Sequence, residues 1–257
     1  MLDKFFKKKR YWNILPKPVR HKFFSIKYLK KYNTQTGQYY LPLFAFKDSI
    51  RNSIIENKIF DEKVFLLMKS LIKQNSIVLD IGSNFGQMSI LWSKCQTNVE
   101  VYSFEASKFI FEILKKNVEL NDANVKVFNS FVCNDVNDEI YIHGSSLKKN
   151  STYGSNKIRI TNRKKNTDKI SSLKIDQLKF DKPISAMKID VQGYDLDVLK
   201  GAKETIKKYR MPIIFEYEKE FEKELNYTFV DFQKFIEEIK YKISSKIDES
   251  NYLIEEK

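Results

Sequence analysis

From residue 62 onward the hydrophobic positions alternate between short apolar runs and helical stripes. Residues 62–72 (EKVFLLMKSLI) place Val64, Leu67, Met68, Leu71 and Ile72 at helical spacing. Residues 76–81 read as a buried strand, followed by a glycine-containing turn and a helix over 87–94. Further strands are expected at 99–105, 125–132, 184–191 and 211–216, with amphipathic helices at 108–120, 195–209 and 229–239. Segments 241–247 and 251–254 flank a polar turn and predict a terminal hairpin. Apolar strands alternating with such helices imply a parallel sheet covered on both faces. The expected fold is α/β and Rossmann-like, with a mostly parallel seven-stranded sheet ending in an antiparallel hairpin. Ligands of such sheets bind beyond the C-terminal strand ends, near the point where strand order reverses.

The first sixty residues follow a different pattern. A turn at Gly37, a short strand at 39–43 and a helix at 48–57 lead into the alternating region. The expected division is a basic, aromatic arm with a helical extension over 1–60 and a Rossmann-like domain over 61–257. Charge sharpens this. The chain carries a net +13, and residues 1–32 hold eleven Lys and Arg against the single acid Asp3, which accounts for +10 of it. Phe5, Phe6, Tyr11, Trp12, Phe23, Phe24 and Tyr28 are interleaved with those charges. The mixture suits peripheral contact with an anionic membrane surface, and equally an arm packed on its own domain. No apolar run reaches the roughly 18 residues a bilayer span needs, and no secretion signal is read at the N-terminus. Cys95 and Cys133 are too few for a disulfide framework, so the expected location is the reducing cytoplasm, at the inner membrane face if the arm binds lipid.

The most informative segment is IVLDIGSNFGQ, which orders strand, Asp80, Gly82, Asn84, Gly86 and helix. Its G-x-x-x-G spacing departs from the dinucleotide fingerprint G-x-G-x-x-G, and no Lys follows Gly86 as a P-loop requires. An acid at the strand end repels a pyrophosphate but suits a ligand bearing an ammonium and a sulfonium, which favours S-adenosylmethionine over NAD. Glu105 ends the second strand, 23 residues after Gly82, where a carboxylate can accept both ribose hydroxyls; the alternative is a helix N-terminal carboxylate. Asp135, past the third strand, either bonds the adenine amino group or serves the turn C-N-D.

Together VLDIGSNFGQ, VYSFEAS, LKKNVELND, MKIDVQGYDLDVLKGAKETI and MPIIFEYE resemble the FkbM-type S-adenosylmethionine-dependent methyltransferases over roughly residues 61–218. Ser83, Gln192 and Asp195 depart mildly from that family's usual residues. The resemblance implies a class I methyltransferase fold and O-methylation of hydroxyls, often on sugars, polyketides or other secondary metabolites.

Methyl transfer to oxygen requires alignment within about 3–3.5 Å, which can supply about 7–11 kcal/mol, and a base for the hydroxyl proton. Lys188 and Asp190, two apart on a strand, point to one face. Asp190 either orients and deprotonates the acceptor or caps the turn into the following helix, and Lys188 either pairs with it or is a snorkelling edge residue. Gln192 and Glu216 are expected on the acceptor side. Asp190, Asp195 and Glu216 could gather around Mg²⁺, but no spacing here specifies a metal site. His143, just before a polar stretch at 144–168, is a rival general base. Within that stretch Tyr153 is a candidate for stacking on a sugar, and a solvated insertion is the plainer alternative. The leading expectation is an O-methyltransferase acting on a sugar or glycan, either a polysaccharide or a nucleotide- or lipid-linked intermediate. The alternative is an RNA methyltransferase using the arm for phosphates, although the chain lacks the N-P-P-[YF] segment of enzymes that methylate base amino groups.

Overall fold

The computed structural model describes residues 28–43, 45–136, 140–142 and 168–257. An antiparallel hairpin, β1 (Leu29–Thr34) and β2 (Gly37–Pro42), leads into helices α1 (Ser49–Ile55) and α2 (Glu62–Leu71). Strand and helix then alternate through β3 (Ile77–Ile81), α3 (Gln87–Trp92), β4 (Glu100–Phe104), α4 (Lys108–Leu120) and β5 (Val125–Phe128). Short strands β6 (Phe131–Val132), β7 (Ile140–Ile142), β8 (Asp168–Ile170) and β9 (Ser172–Leu173) precede β10 (Ile184–Ile189), α5 (Asp195–Gly201), α6 (Lys203–Tyr209) and β11 (Ile213–Glu216). Helices α7 (Glu222–Leu225) and α8 (Phe229–Glu238) lead to the hairpin β12 (Tyr241–Lys246) and β13 (Asn251–Glu256).

Seven strands make the main sheet in the order β12–β13–β11–β10–β3–β4–β5. The five from β11 to β5 are parallel, and β13 pairs antiparallel with β11 on one side and β12 on the other, so the sheet is mostly parallel and ends in an antiparallel hairpin, as the sequence led us to expect. Strand order reverses between β3 and β10, which opens the crevice at their C-terminal ends. Every residue of β3, β4 and β10 is buried because helices cover both faces. Alternate residues serve opposite faces. Leu79, Met187 and Phe215 pack with Leu199, Ile206 and Phe232 of α5, α6 and α8. Val78, Val101, Ala186 and Ile214 pack instead with Val64, Met68 and Trp92 of α2 and α3. Asp80, Ser103 and Lys188 share the parity of that second set and sit in register across the sheet.

Three local readings change. The strand expected over 125–132 ends at Phe128, because the Asn129 amide donates to the carbonyls of Glu105 (2.8 Å) and Ala106 (3.2 Å); β6 then pairs with β9, outside the main sheet. The single helix expected over 195–209 is two, since Ala202 leaves helical geometry at φ −111° and ψ 9°. Residues 29–34, assigned to the arm, form β1. The β1–β2 hairpin lies on α4 through two asparagines one helical turn apart. Asn117 accepts from Tyr40 N (2.7 Å) and donates to its carbonyl (3.3 Å), and Asn121 does the same for Gln38 (2.9 and 2.6 Å). Tyr39, Leu41 and Ile54 share one apolar cluster with Ile90 and Leu114, so residues 29–55 are packed into the sheet domain. His143 and Tyr153 lie outside the described residues. Among the described residues no helix is long and apolar enough to cross a membrane.

Candidate functional site

The nucleoside side is built where β3 turns into α3. Gly82 has φ +91°, and a Cβ there would stand 1.9 Å from the carbonyl oxygen of Asp190, so glycine is required on both conformational and steric grounds. The N–H groups of Gly82 and Ser83 both donate to Phe104 O, at 2.9 and 3.0 Å, which fastens the turn to the end of β4. Asn84, at φ 48°, supports its own left-handed geometry by accepting from Phe85 N (2.8 Å). Gly86 follows at φ +85°, against Leu114.

The Glu105 carboxylate joins this turn to the start of α4. One oxygen accepts from Asn84 N (3.1 Å) and the other from Ser107 N (2.8 Å). Burial raises its pKa to about 7 against the pull of those two N–H groups. The Ser107 hydroxyl is buried with no hydrogen-bond partner. A carboxylate and an unused hydroxyl beside a glycine turn fit the ribose of a nucleoside cofactor. Glu105, Ser107 and the 82–86 backbone would hold it. Ser107 was not singled out in the sequence, where a serine before a helix reads as an N-cap; it makes no capping bond.

Asp80, expected at the mouth of this turn, lies beneath it. Its carboxylate points to the α3 face at 1% exposure and accepts from the Ser89 hydroxyl, which in turn bonds Ser103 (2.7 Å). Burial pushes its pKa above the usual carboxylate range, with Lys188 opposing. Asp135 is exposed and accepts from its neighbour Asn134 (3.0 Å).

The other half of the crevice forms at the ends of β10 and β11. Lys188 Nζ lies 2.9 Å from Asp190 Oδ2, with the lysine almost wholly buried. Burial works against the lysine's charge, but Asp190 and Asp80 hold its pKa above the ordinary value. Burial likewise opposes ionisation of Asp190, and Lys188 outweighs it, so Asp190 stays below the usual carboxylate range. Gln192 adopts the left-handed conformation (φ 54°), which brings its Nε2 to 3.4 Å from Asp190 Oδ1 and 3.3 Å from Glu216 Oε2. Ser250 donates to the other Glu216 oxygen (3.1 Å). Burial, then Asp190 and Asp195, push the Glu216 pKa up to about 10. Burial and the neighbouring acids thus favour the protonated form of Glu216, Lys188 favours the ionised form of Asp190, and the Gln192 amide bridges the two carboxyl groups. Asp195 provides the turn chemistry that was considered for Asp190. It accepts from Val191 N (3.4 Å) and Glu216 N (3.1 Å) and so ties the two strand ends together.

Asp190, Gln192 and Glu216 face a cavity of about 410 Å³. Its remaining wall comes from Ser49, Ile50, Phe60 and Asp61, from Glu218, and from the β12–β13 turn at 248–251. Reading the sequence missed Phe60, Asp61 and this turn; their only signal was an Asp directly before the helical run at 62. Among the described residues, no three His, Cys, Asp or Glu groups are arranged to hold a metal ion.

A parallel sheet reversed between β3 and β10, with an acid at the end of β4 and a glycine turn after β3, defines a Rossmann-like methyltransferase fold. More specifically, the chain belongs to the FkbM methyltransferases: the family model described as Methyltransferase FkbM domain matches residues 80–243, well over half its length. S-adenosylmethionine is the cofactor of this family and of this chain. Similar solved structures include methyltransferase FkbM from Methylobacillus flagellatus (16% identity, TM-score 0.48), over 72% of this chain and 45% of that one. The chain thus spans less than half the length of that protein. A ribosomal protein L11 methylase from Lactobacillus delbrueckii subsp. bulgaricus is 11% identical (TM-score 0.45, 76% of each chain). The Pyrococcus abyssi tRNA (uracil-54, C5)-methyltransferase, solved with S-adenosyl-L-homocysteine, is 12% identical (TM-score 0.45), over 89% of this chain and 44% of that one. No curated protein matches the chain at a significant level.

Proposed function

We propose that this chain methylates a hydroxyl of a sugar or glycan, with Asp190 receiving the hydroxyl proton. The observation that carries this reading is the cavity lining. Asp190, its pKa lowered by Lys188, stands beside Glu216, whose pKa burial raises, and further carboxylates, amides, hydroxyls and the ring of Phe60 complete the wall. These groups accept from and donate to a polyol. S-adenosylmethionine, when bound, supplies an already activated methyl group. Lys188 fixes the Asp190 carboxylate, which accepts the O–H bond, aims an oxygen lone pair and takes the proton as the new bond forms. Glu216 and Gln192 hold Asp190 from its other side.

Against RNA as acceptor stands the sign of the cavity. Six of its lining residues are acids and none is Lys or Arg, whereas phosphate contacts need cations. A nucleotide or lipid diphosphate carrier would have to leave its phosphates outside this wall. Lipid contact through the cationic segment 1–32, with the reaction at the cytoplasmic membrane face, belongs to the same proposal and rests on composition.

The test is transfer of labelled methyl from S-adenosylmethionine to neutral sugars, glycans and RNA. Sugar or glycan incorporation is expected, reduced about 100-fold or more in Asp190→Asn. Incorporation into RNA alone, falling steeply with salt, would overturn the reading.

A further inference from the structure

We infer that Asp61, together with Phe60, is a specificity-determining residue for the acceptor; the inference rests on the reading of the 410 Å³ cavity as the acceptor site. Asp61 occupies the N-cap position of α2, where an aspartate ordinarily accepts from a backbone N–H of the first turn. It makes no such bond. Its backbone is held left-handed at φ 49° and ψ 51°, a conformation that costs free energy in a residue with a side chain. An acid that bears this strain without capping its helix is placed for something else, and its place is the cavity wall. Asp61 lines the same cavity as Asp190 and Asp248; burial, only partly offset by Lys188, and the charges of those two acids raise its pKa to about 6.

Two further observations define the role. Asp190, Gln192, Glu216 and Glu218 lie within the family-matched segment 80–243, whereas Phe60, Asp61 and the turn at 248–251 lie outside it. The reacting end of the cavity is thus built from the family-matched segment, and the opposite wall from residues on either side of it. That wall is also fixed relative to the nucleoside turn. Gln87, the residue after Gly86, accepts from Phe60 N (3.1 Å) and donates to Lys58 O (2.8 Å). A carboxylate beside an aromatic ring, held at constant distance from the cofactor turn, selects an acceptor that presents hydroxyl or amine donors next to an apolar C–H face.

The test uses the full chain saturated with S-adenosylhomocysteine and titrated, under saturation-transfer NMR, with neutral and amino mono- and disaccharides. Asp61→Ala is expected to weaken the sugars bound by the wild type about tenfold or more, as loss of a hydrogen bond to a charged group implies. Asp61→Asn, which keeps the side-chain volume, should weaken them less, and Phe60→Ala should also weaken them. Affinity for S-adenosylhomocysteine, read by calorimetry, should stay within about twofold in all three. Wild-type sugar affinity in both Asp61 variants overturns the inference and leaves the acceptor cavity standing. No sugar binding by the wild type overturns the acceptor reading, and the inference with it.

Discussion

Gly82 and Asp190 touch backbone to backbone. The Asp190 carbonyl oxygen occupies the space where a side chain at Gly82 would begin, 1.9 Å from the Cβ position, and Asp190 N donates to Ile81 O at 2.9 Å. The turn on the nucleoside side and the carboxylate on the acceptor side are therefore positioned by one contact across the β3–β10 reversal. Neither can shift without the other.

Gly82→Ala should consequently damage both halves of the site. The backbone strain alone costs on the order of 1–3 kcal/mol, and the clash is with backbone that has little room to move. A lower melting temperature is expected, with cofactor affinity and methyl transfer lost together. Calorimetry and thermal unfolding check this; wild-type values in both would refute the coupling.

Stability should fall as the solution becomes more basic, and Glu216 should account for much of the fall. Its folded pKa, about 10, lies above its ordinary value of 4.5. Its contribution is complete below the ordinary value and is lost as pH rises toward and through the folded one, because the unfolded chain ionises first. Glu105 and Asp195, both raised to about 7, add to the same trend over the lower part of that window. Glu216→Gln should flatten the decline of urea midpoint between about pH 6 and 9. An unchanged slope would mean that Glu216 ionises freely in the folded protein.

Lys188 neutralises two acids at once, Asp190 at 2.9 Å and Asp80 across the sheet. Lys188→Met leaves Asp80 buried and Asp190 half-buried without their cation. Such a deletion typically costs about 3–5 kcal/mol. The loss should shrink at acid pH, where Asp190 and Asp80 can protonate, and urea unfolding at two pH values measures it.

The asparagine clamp on the N-terminal hairpin gives a separate test. Asn117 makes two hydrogen bonds to Tyr40 and one to the Phe85 carbonyl (2.9 Å), all at a buried position. Asn117→Ala should cost about 1–3 kcal/mol and speed amide exchange across residues 37–42. Protection equal to the wild type would show that the Asn117 bonds do not hold the hairpin.

Much of this site was legible before folding was considered. Gly82 and Gly86 announced a tight turn, Glu105 a carboxylate at a strand end, and Lys188 with Asp190 a pair on one face of a strand; each of these is a local statement about spacing. The direction of Asp80 was misread because its position at the end of a strand says nothing about which helix lies above it. Ser89 of α3 supplies that partner. Asp195 rather than Asp190 braces the turn into α5, which depends on where Glu216 N arrives from another strand.

Period and backbone sterics act over a few residues, so the amino-acid order alone determined the alternation of strands and helices, the glycine turn and the acid after β4. Strand order, and hence which ends meet, is a property of long-range packing. The folded chain brings Asp61, Asp190, Glu216 and the turn at 248–251 around one cavity from four separate stretches. Burial among those acids then raises the pKa of Glu216, while pairing with Lys188 lowers that of Asp190. Proximity across the sheet and removal from water set those charges, and both arise only in the tertiary structure.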